Sequence, residues 1–248
     1  MRFAQGLTLA LTLLAVLASG CAQSGGPATT TPTGTTTTMP TTSTPTTTAT
    51  SSGSGPEAIR LFFDFGGETK GSGDLSGWTA KADVPNDPNR PGSKVAWNVT
   101  ACEAGYEDHV HIQYHPVHSA CFYLDGRQDD GTVWISRAIP VAAGTSYVAN
   151  VTVKAFGQES FNTVADIVLR LGQTGAATEA DFATGIDARH ASLRKPLDTA
   201  NGWTTYSLDW ETGRTPGGQL HLDVGISAIW ETEMTRYVDA VQVLLIPE

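Results

Sequence analysis

Lysine is scarce in this chain, with five in 248 residues, and charged residues of all kinds make up only 16%. Solvated helices are filled largely from lysine, glutamate and arginine, so few such helices are expected. The periodicities of collagen and of coiled coils are absent, and the 40% hydrophobic content excludes disorder along the whole length. A surplus of positive charge is also lacking. The formal charge is -10, and Arg2 is the only charged residue before Glu57, so the acidity belongs to the C-terminal part. That balance excludes sequence-independent binding to nucleic acid. There is no Gly-x-Ser-x-Gly, no Gly-rich phosphate loop and no His-Glu-x-x-His, so the common hydrolase, nucleotide-binding and zinc-protease signatures are missing. What is plentiful is glycine, 26 residues, with 13 prolines, which implies many turns.

The only long apolar run, Leu7 to Leu17, follows Arg2 and leads into Ala18-Ser19-Gly20-Cys21. It is shorter than the roughly 20 residues of a membrane span and has the layout of a secretory signal. It resembles the lipobox of prokaryotic lipoproteins, although the leucine usual three places before the cysteine stands one place earlier, at Leu17. The resemblance implies lipidation of Cys21 and anchoring to a membrane; the alternative is an ordinary cleaved signal. Residues 1–21 are therefore read as the signal and 22–57 as a linker. Between Pro27 and Gly55 there are 15 threonines and no charge, a composition with nothing to bury. As a coil its 29 residues would span roughly 30 Å, and O-linked sugars would extend it.

From residue 58 to 248 the pattern changes to short alternating apolar runs separated by Gly, Pro, Asn and Asp. It predicts strands over Ile59–Phe65, Gly77–Val84, Lys94–Thr100, Asp108–Tyr114, Cys121–Leu124, Thr132–Ile139, Ser146–Phe156, Val164–Leu171, Trp203–Trp210, Gln219–Trp230 and Arg236–Ile246. One helical turn fits Thr178–Phe182. This is the grammar of an all-β fold, a jelly-roll-type β-sandwich in a single domain. In Thr132–Ile139 the alternation places Trp134 and Arg137 on opposite faces. Of the six tryptophans, most are expected in the core and one or two at the surface.

With Cys21 taken by lipid, Cys102 and Cys121 form an even pair outside the cytoplasm, where pairs oxidise. The competing reading is a metal-binding or nucleophilic thiol. Between the two cysteines lie four of the six histidines, His109, His111, His115 and His118. On a strand His109, His111, Gln113 and His115 share one face, so two imidazoles could close on one zinc or copper ion, with His118 or a carboxylate completing the shell. The same alternation describes a half-buried strand with a polar outer face, which would hydrogen-bond sugar hydroxyls instead. The acid pairs Asp129-Asp130 and Glu231/Glu233 have the residue types of a glycosidase, but their separation is not fixed by sequence.

Phe63-Asp64-Phe65, Gly77-Trp78-Thr79-Ala80, Asp129 to Ile135, Gly144-Thr145-Ser146-Tyr147 and Arg236 to Val241, in that order, resemble the galactose-binding-like jelly rolls that include many carbohydrate-binding modules. The resemblance implies a β-sandwich that binds sugars, though fold alone does not decide function. It also implies a structural calcium between the terminal strands, at positions matching Asp64 and Asp239. Two sequons, at Asn98 and Asn150, offer glycosylation sites if they face outward. The expectation is a surface-anchored, non-catalytic module for polysaccharide or a cell-envelope component. Trp97, His109, His111, Gln113 and Arg137 are its candidate contacts. A structural or adhesive envelope protein and a metal-dependent enzyme using the histidine cluster are the alternatives.

Overall fold

The computed structural model describes residues 55–248 except 67–72, 105–116, 126–128, 157–163, 198–201 and 231–233. Twelve strands are present among them: β1 Ile59–Phe63, β2 Thr79–Asp83, β3 Trp97–Ala104, β4 Val117–Leu124, β5 Asp129–Pro140, β6 Tyr147–Phe156, β7 Val164–Gly172, β8 Gly185–Ile186, β9 His190–Pro196, β10 Trp203–Glu211, β11 Gln219–Trp230 and β12 Met234–Pro247. They form two antiparallel sheets. The first has the order β10-β6-β12-β4-β3, with β1 also paired to β12; the second has the order β2-β5-β11-β7-β9-β8. Strand β6 pairs along one edge of β12, while β4 takes residues 234–238 and β1 residues 241–245 of the other edge.

The sheets stack face to face because each strand alternates. In β6, Tyr147, Ala149, Val151, Val153 and Ala155 are buried inward, and in β11 Leu220, Leu222, Val224 and Ile226 meet them from the opposite sheet. Burying each large aliphatic side chain contributes about 1.5–3 kcal/mol before entropy is set against it. The result is a jelly-roll-type sandwich, as the strand grammar predicts.

Several boundaries differ from the sequence reading. The first strand stops at Phe63 because Phe65 takes a left-handed backbone, φ 53°. The strand expected over Lys94–Thr100 starts at Trp97 and runs on to Ala104, and the one expected from Cys121 starts earlier, at Val117. The expected helical turn is a 3-10 turn over Glu179–Phe182. Strands β8 and β9 have no counterpart in the sequence reading. The strand expected at 108–114 lies outside the described residues.

Cys102 and Cys121 are disulfide-bonded, with Cα atoms 6.0 Å apart, and so tie β3 to β4. The bond continues a rung of side chains on the outer face of the first sheet, where Trp203, Phe156 and Tyr237 pack edge to face or tilted at 5.5 and 5.9 Å.

Candidate functional site

The two outer faces of the sandwich differ. On the second sheet, Trp134 and Val168 receive Phe182 and Ala176 from the segment 173–184, with the Trp134 and Phe182 rings 5.4 Å apart. A ring of polar contacts seals the edge of this lid. The Glu179 N–H donates to Asp83 at 2.9 Å, Lys81 Nζ to the Ala176 carbonyl at 3.1 Å, and the Ala176 N–H to Asp223 at 2.8 Å. Arg194 joins Asp166 to Glu179 with two bonds of 2.7 Å. Burial pulls the Arg194 guanidinium down, but the bonds to these two carboxylates outweigh it and hold the group above its ordinary value. Asp181 is held below the usual carboxylate range because it accepts the N–H groups of Ala177 and Thr178. The lid thus covers this face over Trp134, Val168 and Asp223.

Among the described residues, nothing covers the outer face of the first sheet over β1, β12, β6 and β10. Cross-strand register builds it in rungs: Phe62, Gln242, Thr152 and Ser207; then Arg60, Leu244, Asn150 and Asp209; then Ile246, Val148 and Glu211. Four strands at about 4.8 Å spacing give a rung roughly 14 Å long, a length suited to several linked units. Phe62 is 56% exposed, the most exposed aromatic ring among the described residues. Beside it Arg60, Asn150 and Gln242 line a groove of about 640 Å³. The Asn150 amide donates to Asp209 at 2.7 Å, which fixes its orientation. An exposed ring flanked by oriented amides, hydroxyls and one guanidinium has the chemistry that grips a sugar: apolar contact on the ring face and hydrogen bonds at its rim.

A one-residue bulge in β12 makes this possible. The pairing with β6 slips between Asp239 and Gln242, and Ala240 adopts φ 49°. The extra residue keeps Val238, Val241, Val243 and Leu245 all facing inward, and turns Gln242 and Leu244 to the open face.

Phe62 also forms one wall of a second pocket, about 330 Å³, at the end of the sandwich. There the Arg137 guanidinium lies 4.6 Å from the Phe63 ring centre and 5.8 Å from that of Trp78, and its Nη1 donates to the Ser76 carbonyl at 2.8 Å. Burial lowers the Arg137 pKa, and Asp74 opposes that shift. Asp74 itself is held down by the Ser76 hydroxyl and N–H, with Arg137 adding to the effect. Gly77 suits its φ of +77°, and a Cβ there, 2.6 Å from Arg137 Nη1, would push the guanidinium aside.

Of the residues singled out in the sequence, Arg137 thus lies beside the open face, and it points away from Trp134, which is buried under the lid. Trp97 is 38% exposed but shares a register with the core residue Leu124, at the far edge of the sheet, and it lines neither pocket. His109, His111, Gln113 and His115 lie outside the described residues; for His118 only the backbone is described, paired with Glu103. Asp64 is exposed and accepts the Gly66 N–H at 3.2 Å, whereas Asp239 is buried beside the bulge. Among the described residues, no three His, Cys, Asp or Glu side chains gather as metal ligands. Asn98 is exposed on β3, and Asn150 is half-buried in its bond to Asp209. Phe62, Gln242 and Asp209 escape sequence reasoning; the one available signal is an aromatic doublet in a strand, of which one member must face out.

No protein-family model matches the chain, and no curated protein matches it. Solved structures similar to it include the following three. One is TmCBM61 in complex with β-1,4-galactotriose, at 15% identity and TM-score 0.39, over 71% of this chain and 91% of that one. Another is the K1 cleaved adhesin domain of Lys-gingipain from Porphyromonas gingivalis W83, at 12% identity and TM-score 0.37, over 75% and 97%. The third is the CBM22-1 xylan-binding domain of Paenibacillus barcinonensis Xyn10C, to which the chain is similar at 14% identity and TM-score 0.41, over 79% of this chain and 99% of that domain.

Proposed function

We propose that this protein holds a carbohydrate chain on the open face of its first sheet without altering it, and that a lipid on Cys21 and the threonine-rich linker display the module at the cell surface. The observation that carries the reading is Phe62, exposed on the edge strand β1 beside Arg60, Gln242 and the Asn150 amide, while the segment 173–184 covers Trp134 and Val168 on the opposite face of the sandwich. The ring does not stand alone: Arg60, Asn150, Gln242 and Leu244 line the groove with it, so apolar surface and polar groups suited to a sugar converge there. The rung geometry favours a linear chain lying across the strands.

Affinity electrophoresis in gels containing soluble polysaccharides, backed by a glycan array, tests this. Retardation by at least one polysaccharide, abolished by Phe62→Ala, is the expected result. No retention on any glycan would leave the face as a protein-docking surface of an adhesive envelope protein and would end the carbohydrate reading.

A further inference from the structure

Arg137 stands where the strand pattern asks for an apolar residue. Val133, Ile135 and Ile139 of β5 face the core, alternation puts Arg137 on their side, and its partner on β11 is the buried Leu222. Burial there acts against the charge. Among the described residues no carboxylate lies within ion-pair distance to offset it, since Asp74 acts only from farther away. The group's one hydrogen bond there runs from Nη1 to the Ser76 carbonyl, so Nε and Nη2 have no partner among those residues. An aliphatic side chain would lie against Phe63 and Trp78 without the cost of stripping water from a cation. The guanidinium is nonetheless held in one place, by those two rings and by the space that Gly77 leaves for it. A fixed cation with spare donors, on the wall of a cavity, is poised for a ligand that brings acceptors.

The cavity is the one of about 330 Å³, room for one sugar ring, and Phe62 lines both it and the groove of the open face. Its charges narrow the choice. Asp64 and Asp74 line it too, each exposed and each accepting an N–H of its own turn, that of Gly66 at 3.2 Å and that of Ser76 at 2.7 Å. A carboxylate on the ligand would meet these two, and an ammonium group would meet Arg137. A hydroxyl, which both donates and accepts, suits all three.

We infer that this pocket is a subsite for one neutral sugar ring, adjoining the open face, and that Arg137 binds it by donating through Nε and Nη2 to neighbouring hydroxyl oxygens, with Phe62 and Trp78 as the apolar walls. This rests on the carbohydrate reading above and deepens it.

Xylohexaose, cellohexaose and β-1,4-galactohexaose are the neutral probes, and an oligogalacturonate is the acidic one, each titrated calorimetrically into the purified protein. Arg137→Met keeps an unbranched side chain against Phe63 and Trp78 and removes the donors. It should weaken the best-bound neutral hexasaccharide about tenfold while the melting midpoint holds or rises. In nitrogen-15 spectra the Arg137 Nε–H signal, assigned by its loss in the variant, should shift saturably with that hexasaccharide, a response that a purely structural arginine would not give. Unchanged affinity in Arg137→Met would overturn the inference and leave the carbohydrate reading standing, provided that Phe62→Ala still abolishes binding. Tighter binding of the oligogalacturonate than of every neutral hexasaccharide, lost in Arg137→Met, would overturn the neutral class. Wild-type protein that binds none of the hexasaccharides would also overturn the inference, and failure across a whole glycan array would end the carbohydrate reading with it.

Discussion

Phe62 and Phe63 are neighbours in sequence with opposite duties, because successive strand residues point to opposite sides. Phe63 packs edge to face on Trp78 at 5.2 Å and under Arg137, so Phe63→Ala should cost about 2–3 kcal/mol, read as a shift in a urea unfolding curve. Phe62→Ala should lower glycan affinity about tenfold or more while moving the melting midpoint by no more than about 2 °C, since no core contact is lost. Asp181 gives a pH test at the same scale. Its folded pKa lies below the unfolded value of about 3.9, so its contribution is complete above that value and is lost as pH falls through the folded pKa. Melting midpoints measured from pH 6 down to pH 3 should therefore drop, and Asp181→Asn should flatten the drop. Arg137 is legible in the sequence at this scale because alternation sets it opposite Trp134. Phe62 is not, since the doublet alone does not say which ring faces out; that depends on pairing with β12.

At the scale of elements, the strands that fill the core are readable because their inward positions are all apolar, as in β6 and β11. Strand β9 escapes the same reading for a physical reason. Only Ala191 and Leu193 face the core, and the next inward position, opposite Ile167, is Lys195, so the apolar alternation is too short to read; Ser192 and Arg194, on the other side, bond to the segment 173–184. The bulge in β12 is likewise invisible in sequence, because one inserted residue changes which side chains face out without changing composition. Phe182 is the anchor of the lid, fully buried against Trp134. Phe182→Ala should destabilise the protein by about 3 kcal/mol and raise amide exchange across 173–184 more than in β6, as followed by hydrogen–deuterium exchange. The disulfide between β3 and β4 closes a short loop, sequence separation 19, and its removal in Cys102→Ser, Cys121→Ser should cost about 3 kcal/mol in the chain-entropy account. Reductant should lower the melting midpoint of the native protein and leave that of the double variant unchanged.

At the scale of the whole molecule, composition alone divides the chain in two. The stretch before Glu57 carries a single charged residue, and the remainder carries all of the acidity and every aromatic ring but Phe3. A module that holds a polymer without changing it gains from being fixed in place, since many copies on one surface engage one chain together and raise retention without a new contact. On the proposed display role the uncharged threonine-rich linker would supply reach: a coil of its 29 residues would extend roughly 30 Å, enough to let the open face meet a polymer lying flat on the envelope. On this proposal Cys21 is the point at which binding becomes adhesion. Cys21→Ser should move the protein from the membrane fraction to the medium and abolish incorporation of labelled palmitate. The released protein should keep the affinity of the anchored one for a short oligosaccharide, while cells bearing the variant lose their retention on the immobilised polysaccharide. Persistence of the variant in the membrane fraction would show that something other than a lipid on this cysteine holds it there, and the display role would have to be assigned to another part of the chain.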